Sequence, residues 1–497
     1  MVDIFLERQA GAEDKPAIIW DGRQVCTFAE LRSEVGRYRA ALIALGAGPG
    51  ERVMVKAGNS PGFIFTYLAV LALGATFVPL NPAYTAAEVA LLIEDADPVL
   101  LVHAGDTAVP PQGSDRAARA TLNADGSGSL PERAATLAPD LAIAPMATSD
   151  LAAILFTSGT TGRPKGAMLT HGNLGSNVAA LHQTWRFSGS DTILHALPLF
   201  HAHGLFVALH LGLYSAATLR MMGKFDAAKV VAALVDATVF MGVPTFYTRL
   251  LEHPGFTRAA CAGIRLFISG SAPLLPSVFS AFEERTGHRI LERYGMTETV
   301  MITSNPYEQA GRIPGTVGFT LPGVSVRIMD GQGRELPAGE IGEIEMTGPN
   351  LCAGYWRRPE ATAESFNADG YFRTGDTGFK DQAGRISITG RSKDLIISGG
   401  FNVYPAEIEM ILAEVPGVSD VAVFGVPHPD FGEAVVAAVT TEGDAFDMAA
   451  MQAQIGARLA RFKQPKAVHV LAEFPRNAMG KILKNELRDT YRGMFAA

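Results

Sequence analysis

The chain has 497 residues, with 42 Lys and Arg against 50 Asp and Glu, a net charge of −8 and 48% hydrophobic residues. That length exceeds a single core, so two or more domains are expected, and the composition excludes a disordered chain. No block of Lys and Arg stands out, which argues against a nucleic-acid surface. The three cysteines, Cys26, Cys261 and Cys352, lack the spacing of a zinc site or a disulfide framework, so a reducing, cytoplasmic setting is expected.

The first residues, MVDIFLERQAGAEDKP, have no basic segment leading into an apolar run, and no signal peptide is expected. Thr27, with Glu30 three residues on, marks the start of a helix whose apolar positions Leu31, Val35, Tyr38 and Leu42 recur at helical spacing. ERVMVKAG reads as a strand. FIFTYLAVLALGATFVPL, broken by Gly74, reads as a buried helix and a strand, not a membrane span. PVLLVHAG is a further strand, and this rhythm indicates an α/β architecture with largely parallel sheets. From about Gly105 to Asp150 the chain is rich in Ala, Gly, Pro and Asp, and a surface connection with little regular structure is expected.

LAAILFTS and GAMLTH read as strands on either side of FTSGTTGRPKG, Phe156 to Gly166. The loop holds Thr157, Ser158, Gly159, Thr160, Thr161, Gly162 and Lys165. Glycines let backbone N–H groups turn toward an anion, hydroxyls add donors and the lysine neutralises charge, which together suit a phosphate chain. The plainer alternative is a flexible polar turn. The G-x-x-x-x-G-K-[ST] loop of kinases and ATPases does not fit, because Lys165 is followed by Gly166 and not by a hydroxyl.

Further on, TVFMGVP and IRLFISGSAP read as buried strands ending in Gly, Pro and Ser turns, where α/β folds place ligands. Beyond Gly339 the texture becomes β-rich: EIGEIEMTG, GYFRTGD, GRISITG. After GRSKD a segment of about 100 residues has its own alternation of helix and strand, long enough for a small domain. The expected division is residues 1–391, a hinge at 392–394 and a cap at 395–497.

The loop, with GSAPL, YGMTET, YFRTGD, GRSKDLIISGGFNVYPAEIE and PRNAMGKILKNEL in that order, resembles the acyl-adenylate-forming superfamily over nearly the whole chain. That resemblance implies an α/β fold: a large N-terminal domain of two α/β subdomains plus a β-rich portion, and a small mobile α+β C-terminal domain. It also implies two half-reactions. A carboxylate attacks the α-phosphate of ATP to give acyl-AMP and pyrophosphate, and a thiol then displaces AMP. Thr157 to Lys165 would hold the β- and γ-phosphates, Thr297 the α-phosphate, and Glu298 the Mg²⁺. Ser271, Ala272, Pro273 and Tyr294 would flank the adenine, with Glu292, Gly295 and Met296 lining the nucleotide. Asp376 would take the ribose hydroxyls, Arg391 a ribose or phosphate contact, and Lys481 would bridge the acid and the α-phosphate. The cap would rotate about Lys393, and Gly399 and Gly400 would lie against pantetheine. Relatives often carry Ser or Thr where this chain has Met479, which touches only the packing of that turn.

No carrier domain is seen after residue 497, which favours coenzyme A as the thiol. The stretches expected to line the acid pocket hold Arg293, Arg249 and His203, besides Ser271. An arginine buried without a partner is costly, so these residues suit an acid with a second carboxylate, which a guanidinium pairs bidentately. Plainer readings are a helix-surface Arg249, an Arg293 paired to Glu292, and a structural His203. HALPLFHAHGLFVALH, MGVPTFYTRLL and LERYGMTET resemble the malonate-activating branch of the superfamily more than the fatty-acid, acetate or coumarate branches. That implies malonate, ATP and coenzyme A as small-molecule substrates, without nucleic acid or membrane. The alternatives are an acyl-CoA synthetase for another small or aryl acid, or a silent nucleotide-binding relative.

Overall fold

The computed structural model describes residues 5, 11–111, 115–157, 164–398, 401–443, 445–477 and 480–495, apart from the side chain of Asn402. Ser158, Gly159, Thr160, Thr161, Gly162, Gly399, Gly400 and Met479, all named above, lie outside the described residues.

The fold is mixed α/β, a large N-terminal domain followed by a small C-terminal one. Two large sheets make up most of the first. One has six strands, all parallel except the last pair, Leu151–Thr157 with Lys165–Thr170. The other has nine, with a parallel centre formed by Thr192–His195, Thr218–Met221, Val239–Gly242, Leu266–Ser269 and Leu291–Tyr294.

The apolar run near residue 70 forms the helix Pro61–Leu73, in which every residue after Pro61 is buried. A helix apolar on all sides belongs in a core, and its side chains share one cluster with strands of both sheets. Ser60 caps its start by accepting from the Phe63 N–H, and Gly74 ends it in the left-handed conformation. The helix Phe28–Ala44 opens with the capping box read from Thr27 and Glu30. Among the described residues no helix is long and apolar enough to cross a membrane, and all three cysteines are buried free thiols.

The stretch from Gly105 to Asp150 departs from expectation. Ala118–Thr121 adds a parallel strand to the edge of the six-stranded sheet, and Ser129–Ala135 forms a short helix against the helix Phe28–Ala44. ARAT has no periodic pattern because an edge strand of four residues needs only backbone pairing.

A four-stranded antiparallel sheet, Ser325–Met329, Gly342–Thr347, Phe372–Lys380 and Ile386–Arg391, forms the β-rich portion. The last strand ends at Arg391, and Ser392–Asp394 make one 3₁₀ turn. Beyond it, five strands and the helices Pro405–Ala413, Met448–Arg458 and Lys484–Tyr491 pack around cores of their own.

Candidate active site

The strand Leu291–Tyr294 is central to the site, because its residues face two directions. Successive side chains of a strand point to opposite faces. Glu292 therefore faces away from Arg293, and the two do not pair. Burial pushes the Glu292 carboxyl up to about 8, eased by the backbone N–H groups of Gly315 and Leu274.

Tyr294 donates its hydroxyl hydrogen to Asp376 Oδ2 at 2.6 Å. Asp376 is 5% exposed and stands opposite Arg391 in the neighbouring strand, whose Nε lies 3.1 Å from Asp376 Oδ1. Strand register alone brings these two charges together. Burial, with the Asp376 charge next, holds the Tyr294 phenol protonated far above its ordinary range.

After Tyr294 the chain turns through Gly295, Met296 and Thr297, all half-buried, to the buried Glu298. The turn is closed by the Thr299 N–H on the Met296 carbonyl at 3.2 Å and the Met296 N–H on Thr299 Oγ1 at 3.3 Å. Glu298 Oε1 accepts from the Tyr355 hydroxyl at 3.0 Å. Burial raises the Glu298 carboxyl, opposed by its own backbone N–H and by that tyrosine. The Tyr355 ring meets the Lys165 ammonium at 5.3 Å. Lys165 opens the strand Lys165–Thr170 opposite Thr157, whose hydroxyl donates to the Lys165 carbonyl at 3.3 Å. Sequence reasoning missed Tyr355. Its only signal is an aromatic residue in CAGYWRRPE, a stretch passed over for motifs on either side.

From the small domain, Lys481 reaches this group. Burial, then repulsion from Arg391, lowers its ammonium to about 8, against the attraction of Asp376 and Asp394. Gly480, beside it, has φ +76°, and a side chain there would meet Thr245 Oγ1 of the large domain at 3.3 Å. A residue without Cβ lets the turn carrying Lys481 approach this closely. Lys393 is exposed in the 3₁₀ turn, where Asp394 is tied to Arg488 at 2.7 Å.

The other face of the strand carries a second group of residues. Arg293 is 5% exposed, and among the described residues its Nε and Nη2 find no hydrogen-bond partner. Its guanidinium lies against the backbone of Gly270, where a Cβ would sit 2.6 Å from Nη1. Ser271 follows in the left-handed region at φ +71°, a strained conformation of the kind that collects at ligand sites. Its hydroxyl lies 3.3 Å from His203 Nδ1. His203 is buried, with Nε2 unpartnered among the described residues, and begins a π-helical turn, His203–Leu209, a form that often marks functional sites. Burial, then Arg293, lowers the His201 imidazole to about 4, and the same causes lower His203 well below its ordinary value. Arg293, which burial lowers to about 9, is thus flanked by neutral histidines.

Ala272 is half-buried and Pro273 exposed in the turn after Ser271. Arg249 does not join this group. It is exposed in the helix Pro244–Glu252, whereas Tyr247 is buried and in the field of Arg293. Residues two apart on a helix point about 200° from each other, so one side chain faces the interior near Arg293 and the other faces solvent.

Two sequence matches flank and cover most of these elements, leaving residues 357–406 between them. Residues 5–356 match the AMP-binding enzyme family and residues 407–481 the AMP-binding enzyme C-terminal domain, and the chain belongs to that family. Its relatives define it further as an AMP-forming acyl-CoA ligase. A feruloyl-CoA synthase from Amycolatopsis sp is 36% identical over 97% of both chains. A malonate–CoA ligase from Arabidopsis thaliana is 35% identical over 89% of this chain and 78% of its own. The crystal structure of ATP-bound MatB from Rhodopseudomonas palustris is 45% identical over 99% of each chain, with a TM-score of 0.95. The apo structure of MatB, at the same identity and coverage, gives 0.84. The present arrangement is therefore nearer the ATP-bound form.

Proposed function

We infer that this ligase is a malonyl-CoA synthetase. It would form malonyl-AMP and pyrophosphate from malonate and ATP, then malonyl-CoA and AMP with coenzyme A. The observation that carries the reading is Arg293, a buried guanidinium with two nitrogens unpartnered among the described residues. Leaving such a charge unpaired costs about 3–5 kcal/mol, which a second carboxylate on the substrate would offset through parallel N–H···O bonds. A neutral His203 and the Ser271 hydroxyl supply further polar contacts at its edge. The malonate–CoA ligase relative supports the choice, while the feruloyl-CoA synthase relative marks the competing one.

On the nucleotide side, Asp376 has the acceptors for two ribose hydroxyls, and Tyr294 presents a ring edge-bound to it. Glu292, Gly295 and Met296, with the turn Ser271–Pro273, line the base. Lys165 and Thr157, with Ser158 to Gly162, would hold the β- and γ-phosphates, and Thr297 the α-phosphate.

Mg²⁺ fits this donor set. Among the described residues no cluster of three or more His, Cys, Asp or Glu side chains forms, and Mg²⁺ is held through one or two carboxylates plus substrate phosphates. Glu298 would hold it, and the ion would neutralise phosphate charge as pyrophosphate leaves. Lys481 would bridge the attacking carboxylate and the α-phosphate, stabilising charge that develops as the new P–O bond forms and the bond to pyrophosphate breaks. The cap would then turn about Lys393, withdrawing Lys481 and bringing Gly399 and Gly400 against pantetheine. The thiolate sulfur would attack the acyl carbon, and AMP would leave with the bonding electron pair. The three buried thiols suit a reducing, cytoplasmic setting.

The test is a panel of malonate, acetate, butanoate, benzoate and ferulate with ATP, Mg²⁺ and coenzyme A, with thioesters identified by mass. Malonyl-CoA should form fastest. Faster conversion of ferulate or a simple monoacid would overturn the malonate assignment.

A further inference from the structure

Tyr355 belongs to none of the motifs assigned a role above, yet it touches two residues of the phosphate side. Its hydroxyl donates to Glu298 Oε1 at 3.0 Å, and the Lys165 ammonium lies 5.3 Å from its ring centroid. The phenol is 8% exposed.

The backbone fixes its place. Met168 donates to the Gly354 carbonyl at 2.9 Å, Ala353 to Met168 at 2.9 Å and Trp356 to Gly166 at 2.8 Å. Residues 353–356 thus lie alongside the strand Lys165–Thr170, with Tyr355 opposite Ala167. The Tyr355 N–H donates to Thr362 Oγ1 at 2.9 Å, and the Cys352 N–H donates to the Glu298 carbonyl at 2.7 Å. The strand that carries Lys165 and the turn that carries Glu298 are therefore joined through this one short segment.

The two contacts differ in kind. The hydroxyl makes a directed bond to a carboxylate, whereas the ring attracts a cation through its face. Lys165 and Glu298 carry opposite charges, and a direct ion pair would withdraw both from a nucleotide. Tyr355 stands between them and holds each by a different part.

We propose that Tyr355 is a positioning residue for adenylation, aiming the Glu298 carboxylate and the Lys165 ammonium separately at the metal-bound triphosphate. This rests on the reading of Glu298 and Lys165 as metal- and phosphate-binding groups. Tyr355→Phe deletes the bond and keeps the ring; Tyr355→Leu deletes both.

The test is calorimetric ATP binding to the full chain, with and without Mg²⁺. For Tyr355→Phe, metal-free ATP affinity should stay within about twofold, while the gain that Mg²⁺ adds should shrink about tenfold, the worth of a buried bond to a charged group. For Tyr355→Leu, metal-free affinity should also fall about threefold, through loss of the cation–ring contact. Thioester formation from supplied malonyl-AMP should stay within about twofold in both, since that step uses neither contact. A merely structural role would lower all three measurements together. Equal loss with and without Mg²⁺ in Tyr355→Phe, or no loss in either, would overturn the proposal.

Glu298→Gln separates the two levels. If it keeps the full Mg²⁺ gain, the reading of Glu298 fails. If it loses that gain while Tyr355→Phe keeps it, only the positioning role fails. Adding Tyr355→Phe to Glu298→Gln should lower Mg²⁺-dependent binding by less than about twofold more, because partners acting through one contact are not additive; full additivity would contradict the proposal. This cycle does not depend on Tyr355→Leu folding.

Discussion

Arg312 and Arg293 lie at similar depth in the large domain, 1% and 5% exposed, and burial lowers both, to about 10 and about 9. Their surroundings differ. Arg312 donates from Nε to the Pro306 carbonyl at 3.2 Å, from Nη1 to the Arg289 carbonyl and from Nη2 to the Tyr307 carbonyl. It ties together a loop, with each of its three nitrogens already donating to a backbone carbonyl. Arg293 lies against Gly270 with Nε and Nη2 unpartnered among the described residues. Equal burial with unequal satisfaction separates an arginine that builds the fold from one suited to an incoming anion. Lys481 is a third case, a cation delivered by the other domain.

The comparison predicts where each substitution should register. Arg312→Met leaves three carbonyls without a donor and should cost about 3–5 kcal/mol of stability by denaturant unfolding, with the order of preferred acids unchanged. An altered acid preference would break the distinction. Lys481→Ala should lower pyrophosphate release about 10²–10³-fold, the usual worth of one transition-state donor, while thioester formation from supplied malonyl-AMP survives. If both half-reactions fell equally, the role given to Lys481 would be wrong. Arg293→Leu should lower kcat/KM for malonate about 100-fold, as loss of one partner of a buried charge pair does. ATP affinity should be retained, and the melting temperature should hold or rise, because the change removes an unpaired buried charge. A large loss of stability instead would put Arg293 in the class of Arg312.

The smallest effect is a pH dependence. With its ammonium lowered to about 8, Lys481 is a cation below that pH and neutral above it. Adenylation kcat/KM should therefore decline as pH rises through about 8, approaching tenfold per unit beyond it. Lys481→Arg should move that limb upward, since a guanidinium keeps its proton. A limb unchanged in the arginine variant would assign the titration to another group.

Much of this architecture was legible in local pattern. The Thr27–Glu30 box, the uniformly apolar helix 61–73 and the strand ends at Gly242 and Ser269 each declare themselves within a few residues. The edge strand Ala118–Thr121 does not, because four residues paired through backbone on one side need no periodic side chains. Within the site, Tyr294, Asp376 and Arg391 are distant in sequence and meet through strand register. Arg249 and Tyr247 illustrate the limit. Both lie in VPTFYTRLL, and only the rotation of the helix against the sheet decides which faces Arg293. Tyr355 was hidden for a similar reason, since its importance comes from pairing with a strand almost 190 residues earlier.

The central claim is that Arg293 engages the far carboxylate of the acid. The most direct measurement compares malonate with malonamate, which has the same shape but a neutral amide at that end. The account predicts that kcat/KM favours malonate by about 100-fold or more in the unaltered enzyme and that Arg293→Leu removes most of this preference. Equal use of the two acids by the unaltered enzyme would contradict it.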